Sequence, residues 1–351
     1  MNGKIRVAAG SIRELDDETL QFAAQLGLSG VILNTPPLTG QAPYGSMQTL
    51  GTSYWVKPGD EAPTQKWDFL ELLQLRKRVE AYGLRLEAIE NVPIYFYEKC
   101  LLGLPGRDEE IENYQATIRH LGKAGIPILG YHWMANRVWR TAKEDPSRGG
   151  SRVSSFDYEL AKHSPPTFGR EISEDEVWAN YEYFIKAVLP VAEEASVVLA
   201  LHPDDPPTPT LGGVARIFRN LEGFRRAIEQ IAPSPMHQLD FCMGTWAEMG
   251  LEEMFTGMRH FAEQGKISYV HFRNVRGAVP KFEEAFIDDG DVDAAAAIRL
   301  LVDAGFEGIL IDDHVPHMVG DTEWMHRGRA FACGYIKGLV AAIESQKPQT
   351  T

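Results

Sequence analysis

The chain has 351 residues, 44% of them hydrophobic, enough to bury a large core in one or two domains. Its 35 basic and 49 acidic residues give a net charge of -14, which disfavours nucleic acid and anionic membranes as partners. Three widely spaced cysteines, Cys100, Cys242 and Cys333, argue against a disulfide framework and fit the reducing cytoplasm. No run reaches the roughly 18 apolar residues of a membrane span, and the opening MNGKIRVAAG lacks the apolar core of a signal peptide.

In chain order, Lys4–Ala9 reads as a short strand and Leu15–Leu26 as a helix with Asp16 and Asp17 near its start. Gly30–Leu33 is the second strand. Residues 35–65 follow as a long insertion rich in Gly, Pro, Thr and Tyr. Trp67–Tyr82 is an amphipathic helix with Leu70, Leu73, Val79 and Tyr82 on one face. The third strand is Leu84–Ile89, with Glu87 and Glu90 at or near its end. A helix over Glu109–Ala124, closed by Gly125, leads to a fourth strand, Ile126–Tyr131.

Residues 132–170 form a second long insertion without periodicity, of the kind that is usually functional or disordered. It carries His132, Trp133, Arg137, Trp139, Arg140 and Lys143, and so many aromatic residues argue against disorder. The next helix is Ser173–Ala195, with Ser173 and Glu176 spaced as a capping box. Four strands then alternate with helices: Val197–His202, Gln238–Cys242, Ile267–Phe272 and Gly308–Asp312. The intervening helices are Leu221–Ile231, Leu251–Gln264 and Asp293–Ala304, and Arg329–Glu344 closes the chain.

Eight strands alternating with helices predict an α/β fold: a (β/α)8 TIM barrel over residues 1–351 as one catalytic domain, with long insertions on the active face. The rival is an open doubly wound sheet. It would normally bind a nucleotide at a glycine-rich first turn, and AAGSIREL has a single glycine.

In a barrel, catalytic groups sit at the C-terminal ends of the strands. His202, Cys242, His271 and Asp313 occupy such ends on four consecutive strands. Two imidazoles, a thiol and a carboxylate can together ligate a divalent first-row metal. Asp312 competes with Asp313, because adjacent strand residues face opposite ways. Around these lie Asp204 and Asp205, as turn formers or as support for His202. Arg273, Asn274 and Arg276 follow His271, and guanidinium forks there suit a carboxylate or phosphate. Arg137, Arg140 and Lys143 could close over an acidic sugar. His314 is the leading acid–base candidate, with Tyr131 and His132 next and Asp313 more plausible as a ligand.

The runs ALHPDDPP, FCMG, VHFRNVRG with a downstream F-x-E and GDVD, and the DH pair of LIDDHVPHM resemble the mannonate dehydratase family, within the xylose-isomerase-like barrels. The likeness is specific over roughly residues 195–344 and looser before them. It implies a metal-dependent lyase that converts D-mannonate to 2-keto-3-deoxy-D-gluconate in hexuronate breakdown. It implies manganese, with magnesium, cobalt or iron as substitutes, held by His202, Cys242, His271 and Asp313. It also implies a homo-oligomer, a dimer or larger. The family's DH pair falls on Asp313 and His314, and the arginine of its RN segment on Arg273.

Four positions depart from the family pattern. Ile311 and Asp312 stand where the family usually has an arginine and a proline. FIDD lacks a histidine often found there, and Ala330 takes a position where a tyrosine is expected. A sugar isomerase or epimerase, a metal-dependent hydrolase and a sugar-acid-binding barrel without turnover are the competing readings.

Overall fold

In the computed structural model, eight parallel strands close into a barrel in the order predicted from the alternation. The structure describes residues 5–13, 15–36, 38 and 65–346. Most of the predicted insertion at 35–65 therefore lies outside the described residues. The barrel strands are β1 (Arg6–Ile12), β2 (Gly30–Asn34), β3 (Arg85–Glu90), β4 (Ile128–Tyr131), β5 (Val198–Leu201), β6 (His237–Cys242), β7 (Ile267–His271) and β8 (Ile309–Ile311). Closure comes from β1 pairing with both β2 and β8.

The hydrophobic core has two layers. Ala8, Ile32, Ala88, Ile128, Ala200, Tyr269, Ile309 and Ile311 pack inside the barrel. The alternate strand residues, such as Val31, Leu129, Leu199 and Leu310, join the larger core beneath the helices. Both faces are buried, so these strands read as continuous apolar runs. The two-residue side-chain period then sets what happens at the strand ends. Counting two residues on from an inward residue reaches Glu90, Gly130, His202, Cys242, His271 and Asp313.

The second predicted insertion is more ordered than its lack of periodicity suggests. Strands Ala142–Pro146 and Arg152–Asp157 pair within it. They join a hairpin, Asn274–Ala278 and Lys281–Ala285, in a four-stranded sheet. Phe156 and Phe282 pack against each other across that sheet, with ring centroids 5.7 Å apart and the rings tilted by 31°. The pairing partner is more than a hundred residues away, and a local period cannot reveal it.

Smaller differences have local causes. The first strand starts at Arg6 and runs on to Ile12. Ser173 caps its helix by accepting from the Glu176 N–H at 3.2 Å, but the Glu176 carboxylate binds Arg170 instead of completing the box. The helix predicted over 221–231 turns to π geometry from Arg226. A helix over Met243–Met249 directly follows Cys242, seated by Trp246, whose ring stacks on the outward Phe241 at 4.8 Å.

Candidate active site

His202, Cys242 and His271 converge at the C-terminal mouth of the barrel, with their ligand atoms within 4.8 Å of one another. Register explains the convergence: Cys242 pairs directly with His271 on the neighbouring strand. Asp313 completes the set, its Oδ2 lying 3.6 Å from His271 Nδ1 and 3.9 Å from Cys242 Sγ. Asp312 faces the other way. It accepts from Gly10 N–H at 2.9 Å and from Arg329 Nη1 at 2.8 Å, which leaves Asp313 as the inward carboxylate.

Three of the four are almost wholly buried, Cys242 at 0% exposed, His271 at 1% and Asp313 at 4%, while His202 is half-buried. Burial opposes thiolate formation at Cys242, yet Arg273 and the two histidines outweigh it and hold the thiol well below its usual range. Thr245 adds a hydroxyl donor to the sulfur at 3.1 Å. Burial disfavours charge on His202, but Asp240 and Cys242 raise it to about 9. Burial likewise opposes charge on His271, and Asp240, Glu90 and Asp313 push it well upward. A field that strong for protons is equally a field for a metal cation.

The donors fit such an ion. His202 Nδ1 is engaged with Pro203 O at 2.7 Å, which leaves Nε2 for a ligand. His271 makes no well-directed hydrogen bond through either ring nitrogen, although it is buried. Buried polar atoms seldom stay unpaired without a missing partner. Nitrogen, sulfur and oxygen donors of this mixture suit a divalent first-row metal.

Beside these four side chains lies a buried ionic network. Arg140 forks onto Asp205, with Nη2 2.8 Å from Oδ2, and also reaches Glu284 at 3.2 Å. Arg273 donates to Glu248 at 3.0 Å, to Asp205 at 3.2 Å and to Thr245 at 2.8 Å, with its Nε 3.0 Å from Asp313 Oδ2. Burial would raise Asp205, but the two guanidiniums bring it down to about 2. At Glu248, burial and the neighbouring Asp205 win over the arginines, and the carboxyl sits well above its usual range. Gly244 makes room for this network: a Cβ there would lie 2.6 Å from Arg273 Cγ.

His314 sits at the mouth, 43% exposed, with Nδ1 2.7 Å from Glu284 Oε1 and Nε2 3.7 Å from Asp313 Oδ1. Glu284 is the acid of the F-x-E segment, carried on the hairpin that the insertion sheet supports. Burial would raise its carboxyl, but His314, Arg140 and Arg273 hold it far below the ordinary carboxylate range. His132 is held neutral, brought down to about 3 by burial and by the cationic His202, Arg137 and Arg216. Its Nδ1 lies 3.3 Å from the Met134 N–H, which leaves Nε2 as the protonated nitrogen.

Other predicted residues lie elsewhere. Tyr131 points away from the barrel axis, with its hydroxyl 3.1 Å from Tyr181 and 2.8 Å from His237, so it belongs to the layer beneath the helices. Asn274 spends its amide inside its own loop, on Ile287 O, Val292 O and the N–H of Val292. Arg276, 36% exposed, pairs with Glu283 and Asp289 on the outer side of the hairpin. Arg137 lies near Glu98 and His132, in left-handed backbone at φ 64°. Asp204 caps the loop by accepting from Phe218 N–H at 2.7 Å, while Asp205 joins the ionic network. Glu87 pairs with Arg6 at 3.1 Å and does not join the site.

The sequence reading gives no role to Asp240, Glu248 or Thr245, and it holds Glu284 only as the acid of the F-x-E segment. Asp240 had a signal: it stands two residues before Cys242 and must share its inward face. Thr245 and Glu248 had a weaker one, three and six residues beyond Cys242 on a short helix.

Comparison with known proteins gives a consistent answer. A family model described as D-mannonate dehydratase (UxuA) matches residues 19–167 and 166–350. Mannonate dehydratase of Streptococcus pneumoniae is 33% identical over 84% of this chain and 87% of its own length. Mannonate dehydratase of Thermotoga maritima is 33% identical over 80% of this chain and 88% of its own. The crystal structure of mannonate dehydratase from Streptococcus suis serotype 2 superposes with a TM-score of 0.83 at 30% identity, covering 98% of this chain and 96% of that one. A xylose isomerase domain protein from Planctomyces limnophilus, at a TM-score of 0.60 and 14% identity, shares the fold.

Proposed function

Because the chain belongs to the D-mannonate dehydratase (UxuA) family, we propose that it is a metal-dependent hydro-lyase converting D-mannonate to 2-keto-3-deoxy-D-gluconate and water. The observation that carries this reading is the convergence of His202, Cys242, His271 and Asp313 at the barrel mouth. We take the ion to be manganese, with magnesium, cobalt or iron able to replace it. Three free cysteines suit a cytoplasmic protein.

The reaction removes the proton at C2 and expels the hydroxyl at C3. The C2 proton is weakly acidic beside an ionised carboxylate, and hydroxide is a poor leaving group. A divalent ion supplies positive charge for the developing enediolate. His202, Cys242, His271 and Asp313 would hold it.

The chain's own groups then divide the remaining work. Arg140 and Arg273 are both bound to internal carboxylates, so they fix the walls of the site and balance its negative charge. His314 is the group placed to move a proton. Glu284 accepts from its Nδ1–H, which turns Nε2 toward Asp313 and the metal donors. From there His314 can take the C2 proton on Nε2 and pass it to the departing 3-hydroxyl, so that the two leave together as water. Neutral His132 offers its Nε2–H as a donor to a substrate oxygen and is poorly suited to accept a proton there.

The test is an assay of purified, manganese-loaded protein against D-mannonate and its C2 and C3 epimers, reading 2-keto-3-deoxy acid, with a chelated control. Metal-dependent product from mannonate is expected. Product from another aldonate alone would keep the lyase and move the substrate. Failure on every acid would overturn the dehydratase reading and direct attention to neutral sugars.

A further inference from the structure

Below the metal donors lies a second group of buried polar residues that the proposed chemistry does not use. Glu90, at the end of β3, and Asp240, in β6, both face His271 from the side opposite Asp313. Glu90 Oε1 is 3.0 Å and Asp240 Oδ1 3.2 Å from His271 Nε2. Both carboxylates are buried, at 3% and 0% exposure. Neither lies in line with a ring N–H: Glu90 Oε2, both Asp240 oxygens and the Tyr269 hydroxyl beside them are without a well-directed hydrogen bond.

Two buried carboxylates are costly to keep in an apolar barrel. Nothing in the core requires them, since the residues in register on adjacent strands carry no charge: Gly130 beside Glu90 and Tyr269 beside Asp240. Their geometry does suit one task. His271 has its Nδ1 on the side of Asp313 and Cys242, and its Nε2 on the side of Glu90 and Asp240. His202 is arranged the opposite way, with Nδ1 tied to Pro203 O.

We propose that Glu90 and Asp240 are positioning residues for the metal centre: their negative charge beside Nε2 of His271 keeps the proton on that nitrogen and so leaves Nδ1 as the ligating nitrogen, while His202 ligates through Nε2. The assignment rests on the metal centre proposed above. A carboxylate behind a ligating imidazole sets its tautomer and ring angle and makes it a stronger donor, and its removal typically weakens metal binding by about 10- to 100-fold.

The experiment is a cobalt titration of the full-length chain, read by the thiolate-to-cobalt absorption band that reports Cys242, together with ion stoichiometry and the melting temperature of metal-free protein. Glu90→Gln and Asp240→Asn, each near the same volume, are compared with wild type. Cobalt affinity is expected to fall about 10- to 100-fold in the double variant, while the metal-free protein melts at the same temperature or higher, because buried charge has been removed. A merely structural role would lower the melting temperature instead. Unchanged cobalt affinity, with the band intact, would overturn this inference and leave the metal centre standing. Two ions per wild-type chain, one lost in the variants, would also overturn it, by making the carboxylates ligands in their own right. No thiolate band in the wild type would overturn both readings.

Discussion

Arg329 grips both residues of the Asp312–Asp313 pair: its Nη1 is 2.8 Å from Asp312 Oδ2 and 3.0 Å from the backbone oxygen of Asp313. It also reaches Gly10 O at 3.3 Å, so the last helix, β1 and β8 are tied at one point. Asp313 has a left-handed backbone, φ 32°, which a non-glycine residue adopts at a cost of roughly 1–2 kcal/mol. The grip on its carbonyl holds that conformation and aims the carboxylate at the metal donors. Asp312 departs from the family pattern, and it is the residue that binds Arg329.

Arg329→Met should therefore do double damage. It leaves Asp312 buried without its cation, at a cost of about 3–5 kcal/mol, and it releases Asp313. Adding Asp312→Asn, which keeps the acceptor for Gly10, should recover more than half of the stability. Urea unfolding measures the first effect and metal titration the second. Equal midpoints for the single and double variants would argue against the pairing.

Gly244→Ala sets two effects of opposite sign against each other. Inside a helix, alanine gains about 1 kcal/mol over glycine. Here the new Cβ would meet Arg273 Cγ and Nη1 at 2.6 Å, deep in the ionic network. Overpacking of this kind costs about 1–3 kcal/mol, so the variant should melt lower and turn over more slowly. A rise in melting temperature would show that Arg273 can move aside.

Glu284→Gln tests the orientation of His314. Turnover should fall about tenfold or more, within the usual contribution of a placed acid–base group. Metal content should not change, because Glu284 does not touch the four donors. Parallel loss of metal would move Glu284 from proton handling to the support of Asp313.

Glu110 lies far from the barrel mouth and gives a pH signature of its own. It is 1% exposed and accepts from the Cys100 N–H at 3.1 Å. Burial raises its carboxyl from 4.5 to about 7, despite that N–H and the nearby Lys99. The folded chain thus binds this proton more tightly than the unfolded chain. Its contribution is fully present below the unfolded value and declines as pH rises toward 7, by at most about 1.4 kcal/mol per pH unit. Glu110→Gln should remove that slope. Urea midpoints at pH 5 and pH 8 should differ more in wild type than in the variant.

Much of the site was legible because a strand's side-chain period is local. Apolar runs ending at His202, Cys242, His271 and Asp313 needed only adjacency of consecutive strands to converge, and the barrel supplies that adjacency. The same rule would have found Asp240, two residues below Cys242. It could not place Tyr131, since a four-residue strand buried on both sides carries no mark of which face is inward.

By itself, then, the sequence determined the alternation of eight strands and helices, the four candidate ligands that meet at the barrel mouth and the family likeness, all properties of short stretches read one at a time. Tertiary structure decided the rest. It chose Asp313 over Asp312 by offering Arg329 on the outer side. It drew Arg140 and Glu284 together through a sheet built from two distant segments, and turned both active-face arginines onto internal carboxylates. It left Asn274 and Arg276 to their own hairpin. These outcomes depend on charges finding partners in a buried space, and which charges meet there is set by packing across the whole chain.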